Sequence, residues 1–249
     1  MAVHRIRPLL LLSCTLISIA ACARSPQSTS APAAKVEPAE NSDAQVVNPL
    51  RMPGTDLGAK VNAAFAAMPA TGGTVRIPAG SYDYDIPIRL THAGQHLACD
   101  AGAVLHYVGG NDAIIMDPKA GGGVSLTLDG EGGCHLLGNP AAENGVHLMP
   151  GNSFAIRGMR IHNFKNGIEL SGANNVQIVM NVISDNGHGV DLVTVPNYAP
   201  NAVHVYGNEM AGNEWGVYSH NGHVPASRAL GNVYRDGTFE GNRKGDLFL

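Results

Sequence analysis

The sequence predicts an all-β protein, a single-stranded parallel β-helix with a short N-terminal capping α-helix. Short apolar alternations recur in register from Gly72 onward. Phe154/Ile156, Val176/Ile178 and Val203/Val205 begin successive rows 22 and 27 residues apart. The composition agrees: 31 glycines in 249 residues supply many turns, and only 14% of residues are charged, too few for a surface-charged helical bundle. No helical periodicity follows Met68, so each row reads as strands, and stacked rows as the coils of a solenoid.

Residues 1–21 read as a signal peptide. Arg5 and Arg7 charge its start, and Leu9 to Ala21 form an apolar stretch too short to span a bilayer, which needs ~20 residues. The junction Ile19-Ala20-Ala21-Cys22 resembles a bacterial lipobox. That resemblance implies a lipidated Cys22, a membrane anchor and sorting to the outer membrane, with simple cleavage near the same small residues as the alternative. Removing residues 1–21 takes away two arginines and no acid, moving the net charge from −4 to −6. With no Lys/Arg runs, nucleic acid is not an expected partner.

Residues 22–48, rich in Ser, Pro and Ala, read as a flexible tether, and residues 49–249 as the β-helix domain. A helix over Thr55–Met68 has an N-cap candidate and apolar residues Leu57, Val61, Ala64 or Phe65, and Met68 on one face. It would cover the first coil, since an open solenoid end invites pairing with other chains. Pro69 and Gly72-Gly73 end it, and Thr74-Val75-Arg76-Ile77 begins the first strand. No covering element follows Leu249, which leaves that end to fold back or to self-associate. Cys99 and Cys134 read as two small buried apolar side chains in preference to a disulfide. Gly121-Gly122-Gly123 is a turn, since no helix or lysine follows to make a phosphate loop.

Within each coil, Ile161, Ile183, Met210 and Tyr234 line up as a second strand, and Ile168, Val190 and Val217 as a third. Each third strand is preceded by Gly167, Gly189 or Gly216, read as supplying a turn conformation that other residues tolerate poorly. Asn181, Asn208 and Asn232 share one turn position and would hydrogen-bond along the stack, a ladder that Met159 interrupts.

The order helix, Gly-Gly-Thr-Val-Arg-Ile-Pro-Ala-Gly-Ser-Tyr (72–82), then β-coils resembles the pectate lyase superfamily over roughly residues 50–249. The resemblance implies a right-handed parallel β-helix and a polysaccharide partner, without fixing a reaction. The polygalacturonase branch carries catalytic carboxylates just before its Gly-Ile-type strands. Here those positions read Glu143-Asn144-Gly145, Lys165-Asn166-Gly167, Gly187-His188-Gly189 and Glu214-Trp215-Gly216. Only the histidine matches, so that chemistry is rejected.

A different column carries the functional expectation. In Gly-(apolar)-x-(apolar) the x residue faces outward, placing His147, Glu169, Asp191 and Tyr218 on four consecutive coils. Beside them lie Asn144, Asn166, His188 and Trp215, and His220 follows two places beyond Tyr218. Glu169 and Asp191 would stand about 5 Å apart. Three chemistries compete: a bridging Ca²⁺; an acid and nucleophile pair as in retaining glycosidases; or proton abstraction beside a uronate carboxyl by His147 or His188, with Tyr218 as acid. Trp215 and Tyr218 would stack on sugar, with His220, Asn166 and Asn144 as further binding residues. A His220/His223 metal pair is a minor reading. The leading expectation is an exported protein that binds or modifies a cell-envelope or extracellular polysaccharide. A non-catalytic adhesion or structural lipoprotein is the second.

Overall fold

The computed structural model describes residues 45–118, 125–220 and 231–249. The signal peptide, Cys22, the Gly121-Gly122-Gly123 turn and His223 lie outside the described residues.

The chain alternates between two sheets, thirteen- and seven-stranded among the described residues, whose strand pairs are all parallel. Each full coil contributes one strand to the smaller sheet and two to the larger. The two merge into one long strand at Leu126–Leu137 and at Asn152–His162. The two long strands lose register between Arg157 and Met159, where the chain turns a corner. This is the parallel β-helix that the row pattern predicts.

The inward columns are those expected. Phe154, Val176 and Val203 pair in register, as do Ile156, Ile178 and Val205, then Ile161, Ile183 and Met210, then Ile168, Val190 and Val217. All are buried, and each such side chain contributes about 1.5–3 kcal/mol by leaving water. The last coil corrects the reading. Tyr234 pairs with Val205 and Phe239 with Met210, so the final step is 29 residues and Tyr234 belongs one strand earlier. Asn232 consequently leaves the expected ladder and bonds Val203 N and the Pro200 carbonyl.

Asparagines do form two ladders. Asn208 Oδ1 accepts from the Asn181 backbone and side chain, and Asn181 Oδ1 accepts from Met159 N, so the apparent interruption is itself capped. The second, unanticipated ladder runs Asn186–Asn213–Asn242, with Phe164 N donating to Asn186 Oδ1. Each amide satisfies backbone groups that the turns would otherwise leave buried and unpaired.

Three further expectations change. The glycines before the third strand have no positive φ. A Cβ on Gly167 would lie 2.8 Å from the Gly189 carbonyl, on Gly189 2.5 Å from that of Gly216, and on Gly216 2.6 Å from that of Asp246. Close approach of the next coil selects glycine there, not turn geometry. Cys99 and Cys134 form a disulfide with a Cα–Cα distance of 5.8 Å. They sit on the two strands at one corner, where neighbouring coils bring them together. The domain also begins before residue 49, because Val46–Val47 pairs with Thr74 and Val75.

The cap forms as expected. Helix α1 (Leu57–Ala66) starts at Asp56, whose Oδ1 accepts from Ala59 N at 2.8 Å. Asp56 Oδ2 also accepts from Asp85 N and Ile86 N, tying the helix to the first coil. Burial pushes the Asp56 carboxyl up, but these backbone donors outweigh it and hold it below the ordinary value. At the other end Leu247, Phe248 and Leu249 are exposed.

Candidate functional site

The outer face of the seven-stranded sheet gathers the predicted residues in one file. Register places His147 beside Glu169, Glu169 beside Asp191, Asp191 beside Tyr218 and Tyr218 beside Phe248. The neighbouring file is Asn144, Asn166, His188 and Trp215, and His220 lies beside Val193. Alternation along each strand sends the intervening Val and Ile inward, which leaves these positions for polar chemistry.

The two carboxylates do not act on each other. Each is held by histidine. Asp191 is 2% exposed, with Oδ2 at 3.1 Å from His188 Nδ1 and Oδ1 at 3.0 Å from His220 Nδ1. The His220 contact is out of line for a hydrogen bond, so Oδ1 remains a buried acceptor without a donor. Glu169 accepts from Ser171 Oγ at 2.9 Å and from Asn166 Nδ2 at 3.1 Å, and lies 3.4 Å from His147 Nε2. A buried, imidazole-clamped Asp191 cannot reach a glycosidic bond as nucleophile. Nor do the two carboxylates turn toward a shared Ca²⁺, which needs several more oxygens.

His147 is the most constrained group. Its Nδ1 lies 2.8 Å from Asp112 Oδ2 and its Nε2 3.0 Å from Ser171 Oγ. Asn144 donates to Asp112 Oδ1 at 2.7 Å, fixing that carboxylate. Because the Ser171 hydroxyl proton goes to Glu169, Nε2 must itself donate, so the ring carries protons on both nitrogens. The electrostatics agree. Burial alone would depress the imidazole, but the hydrogen bond and charge of Asp112 outweigh it, with the charges of Glu169 and Asp117 adding, and raise it. Burial likewise pushes the Asp112 carboxyl up, and bonding to His147 brings it below its ordinary value.

Asp112, His147 and Ser171 thus share the connectivity of a nucleophilic serine triad, yet the hydroxyl is committed to Glu169. The adjacent Gly172 N–H is spent on the Val193 carbonyl and so does not serve as an oxyanion donor.

Tyr218 departs from its expected role. Its ring stacks on His188 of the preceding coil (4.5 Å, 3°) and on Phe248 of the following coil (4.7 Å, 10°). Both faces are covered, so Tyr218 offers no platform to a sugar. Trp215 touches Phe248 and Tyr218 at tilted angles and remains partly accessible.

Two members escaped the sequence reading. Asp112 lies 32 residues before Asn144, a longer step than the 22–27-residue rows. The pairing of Ile114 with Val146 shows that the register extends one coil further toward the N-terminus, and that signal would have found it. Ser171 was recognisable as outward-facing but had no visible partner.

The fold and this face define a parallel β-helix protein with polar chemistry on one exposed sheet. The similarity of the ORF18 protein of Geobacillus virus E2 agrees, at 17% identity over 78% of this chain with a TM-score of 0.56; the chain spans 40% of that protein's length. The A-module of the Azotobacter vinelandii mannuronan C-5 epimerase AlgE4 matches at 16% over 80% of this chain and 95% of its own (TM-score 0.36). Pectate lyase Pel9A matches at 16% over 70% of this chain and 49% of its own (TM-score 0.44). The first of these speaks to fold alone, and the other two carry no argument. None of the curated proteins matches. Residues 109–247 match the family described as periplasmic copper-binding protein (NosD), more than half of the chain, and the chain belongs to that family. A periplasmic family agrees with an exported chain, and no described helix is long and apolar enough to cross a membrane.

Proposed function

We propose that this chain is an exported β-helix protein that binds a cell-envelope or extracellular polysaccharide along the outer face of the seven-stranded sheet. His147, His188, Glu169 and Asp191 form its polar centre; Trp215, His220, Asn166 and Asn144 contact the sugar, and Tyr218 packs between His188 and Phe248. One observation carries the reading: solvent-side imidazoles are oriented by carboxylates, which a purely structural face does not need. His188, held at Nδ1 by Asp191, is the imidazole placed to serve as a base for proton transfer on a bound sugar. A membrane attachment through Cys22 would place it at the envelope.

The family's description names copper. Among the described residues, no three or more His, Cys, Asp or Glu side chains converge as a metal site. His188 and His220 both direct Nδ1 at Asp191, so their lone pairs do not meet at a common point with its oxygens. Among the described residues the donors do not fit copper.

The test is a panel of acidic, neutral and amino polysaccharides. Binding is followed by calorimetry, and turnover by unsaturated-end absorbance and reducing sugar. Binding lost in Trp215→Ala and His188→Ala, with the fold intact by circular dichroism, supports the proposal. Absence of binding to every glycan leaves the adhesion or structural reading in its place.

A further inference from the structure

We infer that this face selects sugars that present donors and positive charge, a polymer of hexosamines with free amino groups, over polyuronates. The inference rests on the polysaccharide reading above and names the substrate class for the same site.

The face is built of acceptors. Two of them are buried without a donor: Asp191 Oδ1 and Asn166 Oδ1. The orientation of the Asn166 amide is set by its neighbours, since Nδ2 donates to both Asn144 Oδ1 and Glu169 Oε2. Its oxygen therefore has no choice but to face away unpartnered. Asp191 Oδ2 faces His188 Nδ1 at 3.1 Å, and Oδ1 faces His220 Nδ1 at 3.0 Å out of line for a hydrogen bond. A ligand ammonium or hydroxyl suits these acceptors where a carboxylate does not, and it reaches them at the partly exposed Glu169 rather than at the enclosed Asp191.

Charge points the same way. Asp112, Glu169 and Asp191 stand within four adjoining coils, with the imidazole of His147 between the first two. The lysines at the rim are already spent: Lys165 on Glu143 at 2.9 Å, and Lys244 on Glu214. Arg89, two coils above His147 in the same file, lies toward Asp112 and helps to hold that carboxyl down. Lys165 also feels the charges of Glu169 and Asp191, but with its ammonium held on Glu143 none of these cations is unpaired to receive a uronate carboxylate.

The experiment measures affinity of the whole exported chain for length-matched oligomers of glucosamine, N-acetylglucosamine and galacturonate at fixed pH and salt. Glucosamine oligomers are expected to bind at least tenfold more tightly than either other series. Glu169→Gln and Asp191→Asn, each checked for folding, should shrink that ratio. Glu209→Gln, on the other sheet, should leave it unchanged. Galacturonate binding equal to or tighter than glucosamine overturns the inference while the polysaccharide reading survives. Equal binding of the acetylated series also overturns it. An unchanged ratio in both face variants, or an equal fall in Glu209→Gln, overturns it as well, by reducing the preference to the net charge of the chain. No binding in any series overturns the polysaccharide reading itself.

Discussion

Asn213 is fully enclosed, and replacing it with Ala should destabilise the coil stack far more than its small size suggests. Its Oδ1 accepts from Asn186 N at 3.0 Å and Asn186 Nδ2 at 3.1 Å, and its Nδ2 donates to the Ile183 carbonyl at 2.9 Å and to Asn242 Oδ1 at 3.2 Å. Truncation removes all four bonds, strips the buried Asn186 N–H of its acceptor and takes a donor from the Ile183 carbonyl. Each buried group so affected costs ~1–3 kcal/mol, so the loss should be about 2–5 kcal/mol. An exposed ladder gives the comparison. Asn175 Nδ2 donates to Ser153 Oγ at 3.1 Å in water, and Asn175→Ala should cost about 1 kcal/mol, chiefly from placing alanine at a φ of 51°. Urea unfolding followed by far-ultraviolet circular dichroism reads both, through the midpoint with the slope compared. If Asn213→Ala stays within about 0.5 kcal/mol of the parent, buried amides are not what joins these turns.

Gly189→Ala should cost about 1–3 kcal/mol by pressing a methyl onto the Gly216 carbonyl, read as a fall in Tm; an unchanged Tm would remove the close-approach account. The disulfide closes a separation of 35 residues, so its reduction should lower stability by roughly 3–4 kcal/mol. Peptide mapping without reductant that finds Cys99 and Cys134 as free thiols would refute the bond. Asp112→Asn should lower the titration of His147 seen by NMR, because the largest upward influences on that ring are lost. The pair's contribution is complete below the ordinary imidazole value of 6.5, is lost as pH rises through the raised value, and on the acid side is lost as pH falls through the lowered Asp112 value, below 3.8. The variant should therefore be most destabilised between about pH 4 and 6.5, and an equal penalty at pH 9 would count against the assignment. His96, His135 and His162 have the opposite sign: burial depresses each, so stability should fall as pH drops through 6.5, measurable as a declining Tm.

The sequence by itself determined the solenoid, because inward Ile and Val at 22- and 27-residue spacing leave a strand no other way to bury one side. Phe154, Ile156, Ile161 and Ile168 announced their columns by alternation alone, and the same alternation sent His147, Glu169, Asp191 and Tyr218 outward together. Leu57, Val61 and Phe65 likewise marked the cap through helical spacing. What alternation cannot convey is distance between coils of unequal length. The last row slipped because its step is 29 residues, and Asp112 was overlooked because it lies 32 residues from Asn144. The disulfide between Cys99 and Cys134, the Asn186–Asn213–Asn242 ladder and the clamping of Asp191 by two imidazoles were decided only by tertiary structure. Each depends on which groups stand one coil apart, a separation of about 4.8 Å in space but of 22 to 35 residues along the chain.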